Sequence, residues 1–215
     1  LIDPAKLIAG ASAVYGADAV ARMYGEIAPV PETRVIVADD GAELPLGTDT
    51  LVFIDSPGHA RHHFCIWDAR SRGFFTGDTF GLSYREFDTA RGAFVMATTT
   101  PVQFEPEAWR TTLDRLMAYA PQRIYFTHYS VSGDVARLAA DLRASIARHE
   151  AIALACVAAD DRHAAIRQQV ADALLRALRA HGCTLPDAEC LALLDTDIEL
   201  NAQGLGVWLD GRAAA

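Results

Sequence analysis

The sequence predicts an α/β fold with an α-helical C-terminal extension. Three observations carry this. The apolar runs Leu51-Val52-Phe53-Ile54, Gly73-Phe74-Phe75-Thr76 and Ile124-Tyr125-Phe126-Thr127 have the length and side-chain type of buried strands. A helix-patterned segment, residues 105–119, lies between the second and third runs, which gives the strand–helix–strand alternation of a layered core. After Gly133 the pattern changes, and residues 134–215 read as helix. The expected division is therefore 1–133 for the α/β part and 134–215 for a helical extension packed on it.

The elements follow in order. Residues 4–24 read as helix, because Asp3 can cap it and Pro4 suits its first position. Gly16 separates two short helices, the second running to Tyr24, and Pro29 and Pro31 end helical structure. Arg34–Ala38 is expected as a strand, followed by a turn at Asp39-Asp40-Gly41 in which Gly41 can take positive φ. Glu43–Gly47 returns, and Pro45 marks an edge or a break. Thr50–Ile54 is the next strand. His63–Trp67 and Gly73–Thr76 read as a hairpin turning through residues 68–72.

Residues 79–104 have no period. Gly81, Gly92, Pro101 and Thr98-Thr99-Thr100 mark a long loop, of a length that is often functional, with Tyr84, Phe87 and Phe94 as packing residues. Glu105-Pro106-Glu107 opens a helix to Tyr119 with an acidic first turn and an apolar face of Trp109, Leu113, Leu116 and Met117. In the extension, 134–150 is amphipathic and 151–181 is rich in Ala and Leu. Gly182 suits a C-cap and Pro186 a helix start. Gly204 and Gly206 weaken the helical pattern of 197–209.

Composition narrows the function classes. The chain has 215 residues, 51% of them hydrophobic, enough for a substantial core. Its formal net charge of -9 argues against nucleic acid or an anionic membrane as the main partner. No apolar run approaches the roughly 20 residues that span a bilayer. The opening residues lack the basic start and apolar core of a signal peptide. Cys65, Cys156, Cys183 and Cys190 form no Cys-x-x-Cys pair and read as small buried hydrophobes. A cytoplasmic location is the resulting expectation.

Of seven histidines, His149, His163 and His181 fall in the helical extension and read as solvated or capping residues. His59, Asp78 and His128 stand apart. Each closes a predicted buried strand: His59 after Pro57-Gly58, Asp78 after Gly77, His128 after Thr127. Two imidazoles and a carboxylate suit zinc, iron or manganese. If a strand resumes at His63, then His62 and His63 point to opposite faces and one of them can reach the site.

Ser56-Pro57-Gly58-His59, then Phe75-Thr76-Gly77-Asp78-Thr79, then Thr127-His128 resembles the metallo-β-lactamase superfamily of metal-dependent hydrolases over about residues 33–130. Ser56 stands where that family usually has Thr. The resemblance implies an αββα sandwich and a site with two zinc ions, iron or manganese being possible instead. One ion would be held partly by His59, the other partly by His128, with Asp78 bridging them. Asp78 is thereby the catalytic candidate, and a hydroxide between the metals would be the nucleophile. His63 and Tyr84 are the substrate-binding candidates. The implied substrate is a small molecule with an ester, thioester or lactone-type bond. The helical extension would cover the site or form a homodimer interface.

One departure matters. The family's upstream His-x-His-x-Asp-His cluster is absent, and residues 1–58 contain no histidine. The chain reads as the later part of such a protein, with the sandwich incomplete at its N-terminal side. Three ligands divided between two metal positions are expected to bind metal weakly and hydrolyse poorly. The alternative is a non-catalytic partial domain that serves binding or is completed by another chain.

Overall fold

Side chains alternate across a β-strand, so register decides which of this chain's many apolar residues become core. In the computed structural model, which describes residues 2–99, 103–128 and 130–213, six strands form a single sheet in the order β1 to β6. They are β1 (Glu43–Leu46), β2 (Asp49–Asp55), β3 (Phe64–Asp68), β4 (Gly73–Phe75), β5 (Arg123–Tyr125) and β6 (Val131–Ser132). All neighbours are antiparallel except β4 and β5. That parallel pair needs a crossover, and α3 (Pro106–Ala118) lies within it.

One row across the sheet joins Val52, Trp67, Phe74 and Ile124. Phe74 and Ile124 are fully buried, and Tyr119 beyond the end of α3 packs its ring against Trp67 and Phe74. The next row joins Phe53, Ile66, Phe75, Tyr125 and Val131 on the opposite face. There Phe75 and Val131 are exposed, as are Phe64 and Leu46. The expected α/β class with C-terminal helices is what folds, and among the described residues it has one sheet.

α3 buries Trp109, Leu113 and Leu116, as its apolar spacing requires. The described part of the long loop before it, residues 79–99, is packed, with Phe80, Phe87 and Met96 fully or nearly fully buried and Phe94 close to it. Thr100 and Pro101 of that expected loop lie outside the described residues. The extension folds as α4 (Val135–Ala155), α5 (Arg162–His181) and α6 (Asp187–Ala213). Gly182 caps α5 in the left-handed conformation with φ 93°. Gly204 and Gly206 do not break α6. Leu194, Ile198, Ala202, Leu205 and Leu209 form a buried stripe along it, and that packing outweighs a glycine cost of about 1 kcal/mol each.

The chain divides into two compact units, Leu1–Ala38 and Asp39–Ala215. The first holds α1 (Ala5–Tyr15) and α2 (Ala17–Tyr24), separated at Gly16 (φ 84°). Asp3 Oδ1 accepts from the Ala5 N–H, and Pro4 occupies the capping position rather than the first helical one. The strand expected at Arg34–Ala38 does not form. Glu32–Arg34 is a short 3-10 turn, and Ile36 and Val37 are largely exposed. An apolar run becomes a strand only beside a partner, and these residues are not in a strand. The second unit contains both the sheet and the C-terminal helices, and residue 133 falls inside it.

Candidate metal centre

Two turns carry the first two candidate ligands, and α3 pins both. Ser56 is fully buried; its hydroxyl donates to the Ile54 carbonyl (2.7 Å) and accepts from the Cys65 N–H (3.2 Å), closing the β2–β3 loop. Thr112 donates to the Pro57 carbonyl (2.7 Å), and the Glu105 N–H to the Gly58 carbonyl (2.8 Å). Gly58 has φ 133°, and a Cβ there would run into the Trp109 backbone. The Trp109 indole N–H donates to the Thr79 carbonyl (2.6 Å), which fixes the turn after β4. Glycine is required at Gly77 too: φ is 53°, and a Cβ would lie 2.6 Å from His63 Cε1.

These constraints bring the three strand-end residues together. Asp78 Oδ2 lies 3.7 Å from His59 Nε2, and Asp78 Oδ1 lies 3.4 Å from His128 Nε2. Zinc bonds of about 2.1 Å at a tetrahedral angle put two ligand atoms about 3.4 Å apart. Each histidine–carboxylate edge therefore has the span of two ligands on one cation. Asp78 Oδ1 is buried without a hydrogen-bond partner among the described residues. A buried carboxylate oxygen with no donor is a group that a cation would satisfy. The donor set fits the implied metal.

His59 is 5% exposed. Burial pulls its imidazole below the usual histidine range, opposed by the hydrogen bond with the Thr98 carbonyl (2.7 Å) and by the Asp78 charge. A neutral ring with Nδ1 so occupied leaves Nε2 for a metal. His63 stands beside it, ring centroids 4.9 Å apart. Burial first, then the charge of His59, lowers His63 to about 4. One ligand atom each from His59, His63 and Asp78 lies within 4.8 Å of the others. His62 is exposed, stacked on His63, with Nδ1 3.3 Å from Gln103 Oε1. The strand resumes at Phe64, so both rings leave from the loop rather than from alternate faces.

Tyr84 reaches this neighbourhood through α6. Its hydroxyl donates to Asp197 Oδ2 (2.7 Å). Burial raises the Asp197 carboxyl; the Tyr84 bond and the charge of His128 oppose that, and the charge of Asp78 adds to it. Asp197 was not among the sequence candidates, and neither was Asn201. The readable signal was polar residues spaced with Leu194, Ile198 and Leu205 on an apolar helix face. Two histidines expected as solvated or capping are buried instead, His149 at 2% and His181 at 7% exposure, because α4 and α5 turn those positions inward.

The sequence of residues 6–128 matches the family model of the metallo-beta-lactamase superfamily. The chain belongs to the metallo-beta-lactamase superfamily. Solved structures of that superfamily share its fold well past the matched segment. An archaeal superfamily protein from Sulfolobus tokodaii is 20% identical with a TM-score of 0.58, over 94% of this chain and 62% of the other. A family protein from Thermus thermophilus is 15% identical with a TM-score of 0.56, over 98% and 60%. A beta-lactamase domain protein from Burkholderia ambifaria is 17% identical with a TM-score of 0.51, over 96% and 55%. The chain thus spans about three-fifths of the length of the structures it resembles. No curated protein matches its sequence. Among the described residues no helix is long and apolar enough to cross a membrane.

Proposed function

We propose that this superfamily member contributes His59, Asp78 and His128 to the metal centre of a hydrolase acting on a small ester, thioester or lactone. The observation that carries the reading is the division of Asp78, one carboxylate oxygen toward each histidine. Zinc is the first choice for two imidazoles and a carboxylate, with iron or manganese as alternatives. The metal would supply Lewis acidity and an acidified water. The chain's own residues position these elements. Asp78 spans the two histidines, His59 is held with Nε2 forward, and His63 and Tyr84 line the substrate side.

These 215 residues alone bind metal weakly and turn over slowly in this reading, because three donors serve two positions. His63 supports a second arrangement in which one ion sits among His59, His63 and Asp78. A non-catalytic partial domain, serving binding or completed by another chain, is the competing reading. Elemental analysis after zinc loading, with hydrolysis of p-nitrophenyl esters and thioesters, tests all three. Sub-stoichiometric zinc with slow, zinc-dependent turnover is expected. One tightly held ion favours the His63 arrangement. Bound zinc with no turnover favours the non-catalytic domain.

A further inference from the structure

His59 is aimed from behind by a carbonyl that has no strand ladder to hold it. The Thr98 carbonyl takes its Nδ1 at 2.7 Å, two residues beyond the Leu82–Met96 bridge. The neighbouring residue is held by the far end of the chain. The Thr99 N–H donates to Asn201 Oδ1 at 2.8 Å, and the Thr99 hydroxyl to the Asn201 carbonyl at 3.4 Å. Thr98, Thr99 and Asn201 are all buried, Asn201 completely.

Asn201 sits on the buried stripe of α6 between Ile198 and Leu205, where an apolar residue would be ordinary. Its Nδ2 has no hydrogen-bond partner among the described residues. An unpaired buried donor is destabilising, because the hydrogen bond it made to water in the unfolded chain is not replaced. The side chain is therefore an expensive choice if it serves packing alone, and among the described residues its Oδ1 takes the N–H of the same peptide whose carbonyl orients His59. One helical turn earlier, Asp197 holds Tyr84. The same face of α6 thus reaches two parts of the site.

We propose that Asn201 is a positioning residue for His59: by fixing the Thr98–Thr99 peptide it holds the imidazole with Nδ1–H bonded to Thr98 and Nε2 turned toward the metal. This rests on the reading of His59 as a ligand. It makes α6 part of the metal centre without touching it, since an outer partner that fixes a ligand's tautomer raises metal affinity.

The test uses the 215-residue chain, unaltered and as Asn201→Leu and Asn201→Asp. Asp keeps an Oδ acceptor for Thr99 and replaces the unpaired Nδ2 with a second carboxyl oxygen. The His59 tautomer is read from imidazole nitrogen shifts before and after Zn2+, and zinc affinity from competition with a chromophoric chelator. The unaltered chain should show the Nδ1–H tautomer. Asn201→Leu should mix the tautomers and weaken zinc binding about tenfold, and Asn201→Asp should restore both. An Nε2–H tautomer in the unaltered chain overturns the inference with no variant needed. So does a folded Asn201→Leu chain with unchanged tautomer and affinity, even where zinc shifts the His59 signals. If zinc leaves those signals unmoved in the unaltered chain, the ligand reading falls and this inference with it.

Discussion

His128 and Asp78 meet at 3.4 Å, Nε2 to Oδ1, at the ends of β5 and β4, the one parallel pair in the sheet. The crossover that makes the pair parallel delivers both side chains to the same end. The carboxylate's other oxygen faces His59, so its removal should be felt at both histidines. Asp78→Ala is expected to weaken zinc binding by at least about 100-fold, more than loss of an outer partner. His128→Ala, which leaves the His59 edge intact, should cost less. Chelator competition on the three chains checks the order.

Gly58 should tolerate no side chain. Its φ of 133° and the Trp109 backbone beside it leave no room for a Cβ, and backbone cannot move aside as a side-chain end could. Gly58→Ala is expected to cost about 3 kcal/mol by urea unfolding and to loosen the turn that presents His59. Gly47→Ala has open space and bears only the strain of its positive φ, so its loss should be smaller.

Acid should destabilise the helical part through His149. Burial lowers this histidine to about 4 in the folded chain, aided slightly by Arg148 and opposed by its bond to the Ser145 carbonyl. The folded state thus binds the proton less well than the unfolded state. The neutral ring's stability is fully present above pH 6.5 and is lost as pH falls from there toward 4. The shift corresponds to up to about 3 kcal/mol. His149→Leu should flatten this part of the pH–stability curve, measured by urea midpoints between about pH 7 and 4.5. Parallel curves would show that His149 is not responsible.

The sheet face carrying Phe53, Ile66, Phe75 and Tyr125 should drive association. Phe75, Phe64, Leu46 and Val131 are exposed there, and contiguous exposed apolar surface of this kind favours contact with another apolar surface. Sedimentation should reveal concentration-dependent self-association of the chain. Phe75→Lys should reduce it; in the single chain the ring is 45% exposed, and the substitution gives up its stack on Tyr125.

The strand ends, the glycine turns, the α3 face and the helical extension were legible in the sequence because each is local. Apolar periodicity, a Pro-Gly turn and an αL glycine act over a few residues, and His59, Asp78 and His128 could be picked from their places after three such runs. The expected strand at Arg34–Ala38 shows where local pattern stops. Val35-Ile36-Val37 has strand composition, but a strand is a pairing and composition does not contain the partner. The inward turn of His149 and His181, and the reach of Asp197 and Asn201 to residues about a hundred positions earlier, were decided by how α4, α5 and α6 pack. The sequence by itself determined that His59, Asp78 and His128, side chains of metal-binding type, each follow an apolar run. Only the tertiary structure decided that Asp78 faces both histidines and that α6 stands behind His59, because those distances arise from sheet register and helix docking over separations no local pattern spans.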